Sequence, residues 1–223
     1  MKIYLTNIKY LILVVALIIT NIGINHSTVN AASLRNGDPI AVMDFGTRPG
    51  ATPSEINIQN AEYTSSEYII LQLIKNGNLD VIDKDTAMST IRAENLNTTG
   101  LIDPDTAKRI GKLLGVKHII YGNVSNVSTS NNGVGVDVSA FSLGVDVCTV
   151  KAHLIARVMD VETGAIIMML KGDGESKSSY TKAGVSNVVL SIGTSKVTMD
   201  SVHNAIQKAG VQIADKLSAK LAK

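Results

Sequence analysis

Apolar and polar residues follow two different periods along the chain. In the first half, short apolar runs bounded by turn residues are typical of strands, and they lie at residues 39–45, 79–83 and 118–124. Longer stretches between them place apolar residues at helical spacing, and they lie at residues 61–78, 83–96 and 103–115. Because strands and helices take turns, this half predicts a layered α/β domain.

Two of the predicted helices have recognisable boundaries or buried faces. The clearest start is Asp103, an N-cap residue followed by Pro104 at the first helical position. That helix is expected to end at Gly115, since glycine tolerates the left-handed conformation of a C-terminal cap. Residues at helical spacing predict the buried faces. They are Tyr63, Ser66, Ile70, Leu73 and Ile74 in the first helix, and Ala107, Ile110, Leu113 and Leu114 in the helix after Asp103.

The second half is dominated by patterns of period two, which predict strands. A polar, turn-rich stretch at 125–133 precedes a half-buried strand at 149–158, a turn at 160–164 and a returning strand at 165–174. Residues 177–200 are rich in Ser, Thr and Gly and are also strand-like.

The chain ends in a predicted amphipathic helix, which Asp200 is expected to cap. Its apolar stripe consists of Val202, Ile206, Ala209, Ile213 and Leu217. The complete pattern predicts a mixed α+β or α/β fold, an α/β sandwich-type domain with long strands in its second half and an amphipathic C-terminal helix.

The stretch GVGVDVSAFSLGVDVCTV, residues 133–150, is apolar and Gly-rich and carries only two charged residues. Its apolar residues fall on even positions up to Ala140, on odd positions from Phe141, and on even positions again from Val150. One regular strand cannot keep a single apolar face through two such switches. We therefore predict a turn or bulge near Ala140 and Phe141, with FSLG as a hairpin tip, and a bulge near Cys148.

Residues 1–31 have the pattern of a secretory signal peptide, with lysines near the start, an apolar run and small or apolar residues before Ala32. An uncleaved N-terminal anchor is the alternative interpretation. Residues 32–223 are then expected to form one domain. Packing alone would hold this exported domain together, because its single cysteine, Cys148, cannot form an internal disulfide.

Charge and motifs give little indication of chemistry. A net charge of +2 favours neither nucleic acid nor an acidic substrate, and no residues are predicted to be catalytic, cofactor-binding or metal-binding. MDFG at 43–46 is expected to be a core strand ending in glycine, since no other kinase motif accompanies it. GDGESKSS at 172–179 lacks the glycine that precedes the lysine of a phosphate loop, and it is expected to be a hairpin turn. The sequence therefore predicts no enzyme.

Three blocks, taken in order, resemble one family. They are PIAVMDF at 39–45, the block from GNLDVIDKD to HIIYGNV at 77–124, and RVMDVETGAIIMM at 157–169. IGKLLGVKHIIYG together with DVETG is the most specific combination. KSSYTKAG, at 177–184, falls where family members enter a second membrane hairpin. On these residues the chain, from about Pro39 onward, resembles the CsgG family of curli assembly and secretion channel proteins.

The resemblance implies an architecture and a function. Family channels lie in the outer membrane of diderm bacteria, where each protomer of a homo-oligomeric ring has a periplasmic α/β domain and gives two β-hairpins to one shared barrel. The hairpins would correspond to segments 133–158 and 178–200, each long enough for two tilted strands. Unfolded protein subunits would pass by diffusion, without ATP or a cofactor. The constriction loop would fall within about 46–62, and Tyr63 is the nearest aromatic residue.

Two features depart from the family channels. No cysteine follows the signal-peptide core, where a lipoprotein would be acylated, and the two Phe and six Tyr residues are few for the aromatic girdles of a membrane barrel. The resemblance also extends to relatives with the same periplasmic domain and no pore, including lipoproteins that activate peptidoglycan synthases. The alternative interpretation is therefore a soluble periplasmic or envelope-associated scaffold protein.

Overall fold

The computed structural model describes residues 34–51, 61–94, 96, 102–138, 141–185, 188–193 and 197–221. The predicted signal peptide, residues 1–31, lies outside this part. The described helices are α1 (Ala61–Asn76), α2 (Lys84–Ala93), α3 (Pro104–Leu114) and α4 (Met199–Leu221). None of them is long and apolar enough to cross a membrane. The described strands are β1 (Pro39–Val42), β2 (Gly46–Thr47), β3 (Asp80–Val81), β4 (His118–Val138), β5 (Phe141–Asp160), β6 (Ile166–Val185) and β7 (Val188–Gly193).

All seven described strands belong to one sheet with the order β3-β1-β4-β5-β6-β7, and β2 pairs with β4 beside β1. The pairs formed by β1, β2 and β3 are parallel. The pairs from β4 to β7 are antiparallel. The sheet therefore joins a short parallel half, whose strands alternate with helices, to a half made of long hairpins.

Helices cover both faces of the inner part of the sheet. On one face, α1 and α4 bury apolar side chains such as Leu73 and Ile213 against the strands. On the other face, α2 and α3 contribute Ile91 and Ile110 to a second core. The result is a mixed α+β domain with an α/β sandwich and a C-terminal helix, which confirms the predicted fold class.

The predicted boundaries of the helix after Asp103 are confirmed. Asp103 Oδ1 accepts hydrogen bonds from the backbone amides of Asp105 and Thr106, both at 3.0 Å. Pro104 is the first residue of α3, and Gly115 closes the helix in the left-handed region with φ of 66°. These local signals were sufficient because a cap is built from neighbours in the sequence.

Three details of the helices differ from the prediction. Ile74 is 58% exposed and Leu113 is 43% exposed, so neither belongs to a buried face. The cap of α4 is Thr198 rather than Asp200, because Thr198 Oγ1 accepts a hydrogen bond from the backbone amide of Ser201 at 3.1 Å. The predicted stripe of α4 is confirmed, and all of its members are at most 1% exposed.

The long strands also correct two predicted turns. Residues 125–133 lie within β4, since their backbone pairs with β5 beyond a bulge at Ser125. Residues 172–179 lie within β6 rather than in a hairpin turn. In both segments the pairing partner is distant in sequence, so polar residues and glycines that resemble a local turn are held in a strand.

The glycines of GDGESKSS have a packing role. The backbone of α4 passes directly over them, so an added Cβ at Gly172 would overlap the carbonyl oxygen of Ala209, and one at Gly174 would overlap that of Ala205. Glycine in a strand often marks such a close approach of another backbone. Glycine at these two positions lets α4 pack directly against β6, and this contact holds the helix in place over the sheet.

Replacing Gly174 with alanine is expected to destabilise the domain by about 1–3 kcal/mol, the usual cost of an extra methyl group in a tightly packed core. Urea unfolding of the purified chain, followed by far-UV circular dichroism, measures the change. Gly144→Ala is the matched control, since an added Cβ there meets no atom nearer than 3.7 Å. Equal destabilisation by the two variants would show that the α4 contact does not require glycine.

Candidate functional site

The ends of the long strands continue beyond the helices as an arm. We define the arm as residues 133–138, 141–147, 179–185 and 188–193. Its base lies at Cys148, which is 1% exposed and pairs with Ser178, close to the start of α4. The arm therefore begins where the helical cover of the sheet ends.

The arm overlaps both predicted hairpin segments, but residues 148–158 of the first segment belong to the inner sheet. Segment 133–158 falls on the end of β4 and most of β5, and the two strands pair as far as Val138 and Phe141. FSLG, residues 141–144, is therefore strand and not a hairpin tip. Segment 178–200 covers the end of β6 and all of β7, but it also includes the first two residues of α4.

The register of β5 is continuous through the base of the arm. Pairing with β4 shows one shift, between Val124 and Asn126, and pairing with β6 shows one shift, between Val158 and Met159. The bulge predicted near Cys148 is therefore wrong. The apolar residues change face there because the surroundings of the strand change, while the backbone keeps its period of two.

The two faces of β5 exchange their character at Cys148. On even positions, the apolar residues from Val150 to Val158 are buried in the core under α1 and α4, and Cys148 is buried as well, but the arm carries Ser142, Gly144 and Asp146. On odd positions, the inner strand carries polar residues such as Lys151, but the arm carries apolar ones. We call the side of the arm that carries the odd-numbered residues of β5 the apolar arm face. The even-numbered residues of β4 pair with them and lie on the same side. The described large side chains of this face are Val134, Val136, Phe141, Leu143 and Val145.

The apolar arm face has no cover in the described chain. Exposure of its large side chains ranges from 41% at Val145 to 80% at Val134. Isolated exposed apolar residues are common on soluble proteins, but a contiguous apolar sheet surface marks an interaction with another protein or with a membrane.

The opposite side, the polar arm face, carries small and charged residues. Lys182 Nζ lies 2.6 Å from Asp146 Oδ2 and 4.9 Å from the centre of the Tyr180 ring. An added Cβ at Gly133, which pairs with Asp146, would overlap the Asp146 carboxylate. Glycine on β4 therefore leaves the space in which this carboxylate meets the lysine.

Charged residues form a belt directly below the apolar arm face and on the same side of the sheet. This charged belt consists of Lys151, His153, Asp173, Glu175 and Lys177. Glu175 lies between two ammonium groups, 2.8 Å from Lys177 Nζ and 3.8 Å from Lys151 Nζ. The belt separates the helix-covered core from the apolar arm face.

A second polar cluster lies just after β1. The ammonium group of Lys84 is 2.7 Å from Asp44 Oδ1 and 3.3 Å from Glu67 Oε1, and it donates a hydrogen bond to Ser66. The cluster joins the start of α2 to α1 and to Asp44 of MDFG. Met43 and Phe45 are buried as predicted for a core segment, although β1 itself ends at Val42. The geometry is that of a structural clamp.

A cavity of about 530 Å³ lies at the end of the domain opposite the arm, beside the start of β4. At its wall, the buried carboxylate of Asp38 accepts hydrogen bonds from Lys117 Nζ at 2.8 Å and from the Arg35 amide at 2.7 Å. His118 Nε2 is 3.2 Å from the same carboxylate. Burial raises the pKa of Asp38, but these hydrogen bonds outweigh it and hold the pKa below its usual value. These contacts join β1 to β4.

Acid is expected to weaken the contacts of the Asp38 carboxylate. A carboxylate with a lowered pKa in the folded state stabilises the protein above its unfolded pKa, near 4, and the stabilisation disappears as the pH falls through the lower folded value. The urea-unfolding free energy of Asp38→Asn is therefore expected to be lower than that of the wild type at pH 7 and to depend less on pH between 5 and 3. Asp80→Asn, at an exposed position on the neighbouring strand, is the control. Parallel pH profiles of Asp38→Asn and the wild type would contradict this assignment.

Other predicted features have separate outcomes. Among the described residues, no group of His, Cys, Asp and Glu could hold a metal ion. Of the predicted constriction loop, Gly46–Thr47 form β2 against β4, and residues 52–60 lie outside the described part. Tyr63 lies in α1, and its side chain is also outside the description. The constriction loop itself stays a prediction.

A match to a family model decides what kind of protein this is. The model described as curli production assembly/transport component CsgG matches residues 25–223. The chain belongs to the CsgG family. Membership confirms the resemblance of the three sequence blocks, and it makes the chain an envelope protein of this family.

Solved structures give more distant similarities to this CsgG-family protein. The C-terminal domain of LpoB from Salmonella enterica is 18% identical, with a TM-score of 0.44 over 66% of this chain and 88% of that one. PelC from Paraburkholderia phytofirmans, a dodecamer, is 14% identical, with a TM-score of 0.36 over 84% and 91%. Hypothetical protein CT253 from Chlamydia trachomatis is 15% identical, with a TM-score of 0.38 over 83% and 94%. No curated protein sequence matches the chain.

Sequence reasoning located the arm but missed its charged pair. The signal was present, since Asp146 is one of two charges in an otherwise apolar stretch and Lys182 lies in the block KSSYTKAG. Bringing them together required the register that places Asp146 opposite Tyr180, two residues before Lys182 on β6. Pairing of two hairpins is a long-range property that local patterns do not contain.

Proposed function

We propose that this CsgG-family protein is a subunit of an outer-membrane secretion pore, in which the arm crosses the membrane as part of a shared β-barrel. The observation that carries the proposal is the exchange of faces at Cys148 in a strand with unbroken register. A transmembrane strand alternates apolar residues toward lipid with polar residues toward the lumen. The apolar arm face would contact lipid, and the polar arm face would line the pore.

The apolar arm face is long enough to cover part of the depth of a membrane. Phe141 to Val147 span six residue steps, or about 20 Å along the strand at roughly 3.3 Å per residue. Because strands of outer-membrane barrels tilt by about 35–45°, this length covers roughly 15 Å of the apolar band, which is about 25 Å tall. The charged belt at the base of the arm would lie at the height of the lipid headgroups on the periplasmic side, where lysine side chains are well accommodated.

The open edges of the arm favour a ring of identical subunits. Within the described chain, β4 beyond the residues paired with β2 has no strand on its outer side, and β7 has none on its far side. Hydrocarbon cannot satisfy the exposed backbone groups of such edges, so an arm in lipid needs partners. Pairing of β4 in one copy with β7 in the next satisfies both edges and generates a closed homo-oligomer.

The proposed cargo is a set of unfolded protein subunits that cross by diffusion. The family description names curli production, assembly and transport, and transport of an extended chain requires a wide lumen that binds it weakly. Gly133, Gly135, Ser142 and Gly144 give the polar arm face a surface of small side chains. Such a surface offers few apolar contacts at which an unfolded chain would be retained.

Arginine at Leu143 is expected to prevent membrane insertion, because each such side chain at the bilayer centre costs about 2–4 kcal/mol and the ring repeats it in every copy. Ser142→Arg places the same group on the polar arm face and is the matched control. The measurement is the fraction of each chain retained in outer membranes after an alkaline carbonate wash. We expect retention of the wild type and Ser142→Arg and loss of Leu143→Arg.

Two results of this experiment would contradict the pore. The first is release of the wild type by the wash, which would favour the soluble scaffold protein. The second is equal retention of both arginine variants, which would show that the apolar arm face does not contact lipid. Electron microscopy of the detergent-extracted wild type provides the independent check, and the expected image is a ring with a central opening.

A further inference from the structure

The ion pair of the polar arm face connects the two hairpins. Asp146 lies on β5, in the first hairpin, and Lys182 lies on β6, in the second. Their charged atoms are 2.6 Å apart, and the Lys182 ammonium group also lies over the ring of Tyr180. The side chain of Lys182 is 46% exposed and that of Asp146 is 31% exposed. Ion pairs with this much solvent contact contribute little to stability, so stability is a weak reason for their presence.

Two charges of opposite sign stand here on a surface of small side chains. Among the side chains of the arm that the structure describes, Asp146 and Lys182 are the only charged ones. Gly133 leaves room for the carboxylate, because an added Cβ there would overlap Asp146 Oδ1. The pair is therefore a built feature of the polar arm face, formed by residues of β4, β5 and β6.

We propose that Asp146 and Lys182 form a charge-balancing pair that faces the lumen of the pore and sets its preference between cations and anions. This inference rests on the proposed pore. Every subunit of a ring contributes the pair at the same height, so both charges occur as rings around the lumen. Rings of charged side chains govern the ion selectivity of channels, and a low-dielectric wall strengthens their field.

The proposal predicts shifts of opposite sign for the two partners. Lys182→Gln removes a positive charge from every subunit and leaves the Asp146 carboxylates unbalanced, so the ratio of K⁺ to Cl⁻ permeability should rise at least about twofold. Asp146→Asn leaves the lysines unbalanced, and the ratio should fall by a similar factor. The double variant keeps the balance, and its ratio should lie close to that of the wild type.

The experiment uses the purified oligomer in planar lipid bilayers, with reversal potentials measured across a KCl gradient. Lys177→Gln is the matched control, because it removes the same charge from a lysine that is also ion-paired on β6 but belongs to the charged belt on the other side of the sheet. It should leave the permeability ratio unchanged. If Lys182→Gln does not assemble, the inference is tested by Asp146→Asn, whose ratio of K⁺ to Cl⁻ permeability should fall.

Three outcomes overturn the inference. Conducting channels of Lys182→Gln and Asp146→Asn with the wild-type ratio would show that the pair does not face the ion path. An equal shift by Lys177→Gln would show that the effect does not depend on the polar arm face. Absence of any conductance from the wild-type oligomer would instead contradict the proposed pore, and this inference would fail with it.

Discussion

The unbroken pairing of β5 with both of its neighbours is the constraint on which the rest of this structure depends. Between Phe141 and His153, β5 pairs with β4 on one side and β6 on the other without a shift in register. Since side chains alternate strictly along a strand, every residue in this range is assigned to one of two faces. A register shift of one residue in β5 would exchange its two faces, so that Asp146 would lie on the apolar arm face and Val145 on the polar arm face. The chemistry of the arm therefore follows from backbone hydrogen bonds formed far along the chain.

Helix α4 determines where the sheet stops being part of a soluble core. Its backbone approaches Gly172 and Gly174 of β6, and its apolar stripe covers the even positions of β5 up to Cys148. Beyond that point no helix of the described chain shields the sheet, so the even face becomes polar and the odd face becomes apolar. One continuous strand therefore serves two environments, because the helix covers only part of its length.

Local signals in the sequence predicted most of the inner domain but misjudged the long strands. The caps at Asp103 and Gly115 depend on residues within a few positions, so they were recognisable directly. The strand nature of 126–133 depends on β5 partners between Asp146 and His153, and that of Gly172 depends on Leu154. A polar or Gly-rich segment resembles a turn when such partners are unknown. The switch near Cys148 was correctly located in the sequence and wrongly attributed to the backbone. Asp146 stands out in its apolar stretch, but its pairing with Lys182, like the charged belt, depends on the register of β5 with β6, which no local pattern contains.

The charged belt gives the two environments of the sheet a physical boundary. On the odd face of β5, only Thr149 lies between Val147, the last residue of the apolar arm face, and Lys151, so the change from apolar to charged takes place within a few residues. Charged groups strongly disfavour the hydrocarbon interior, whereas long lysine side chains are well accommodated at its border. In the proposed pore, the apolar arm face favours insertion of the arm into the membrane. The charged belt, at the next positions of β5 and β6, opposes deeper insertion. The depth of the arm in the membrane would then be fixed by two opposed preferences along β5 and β6.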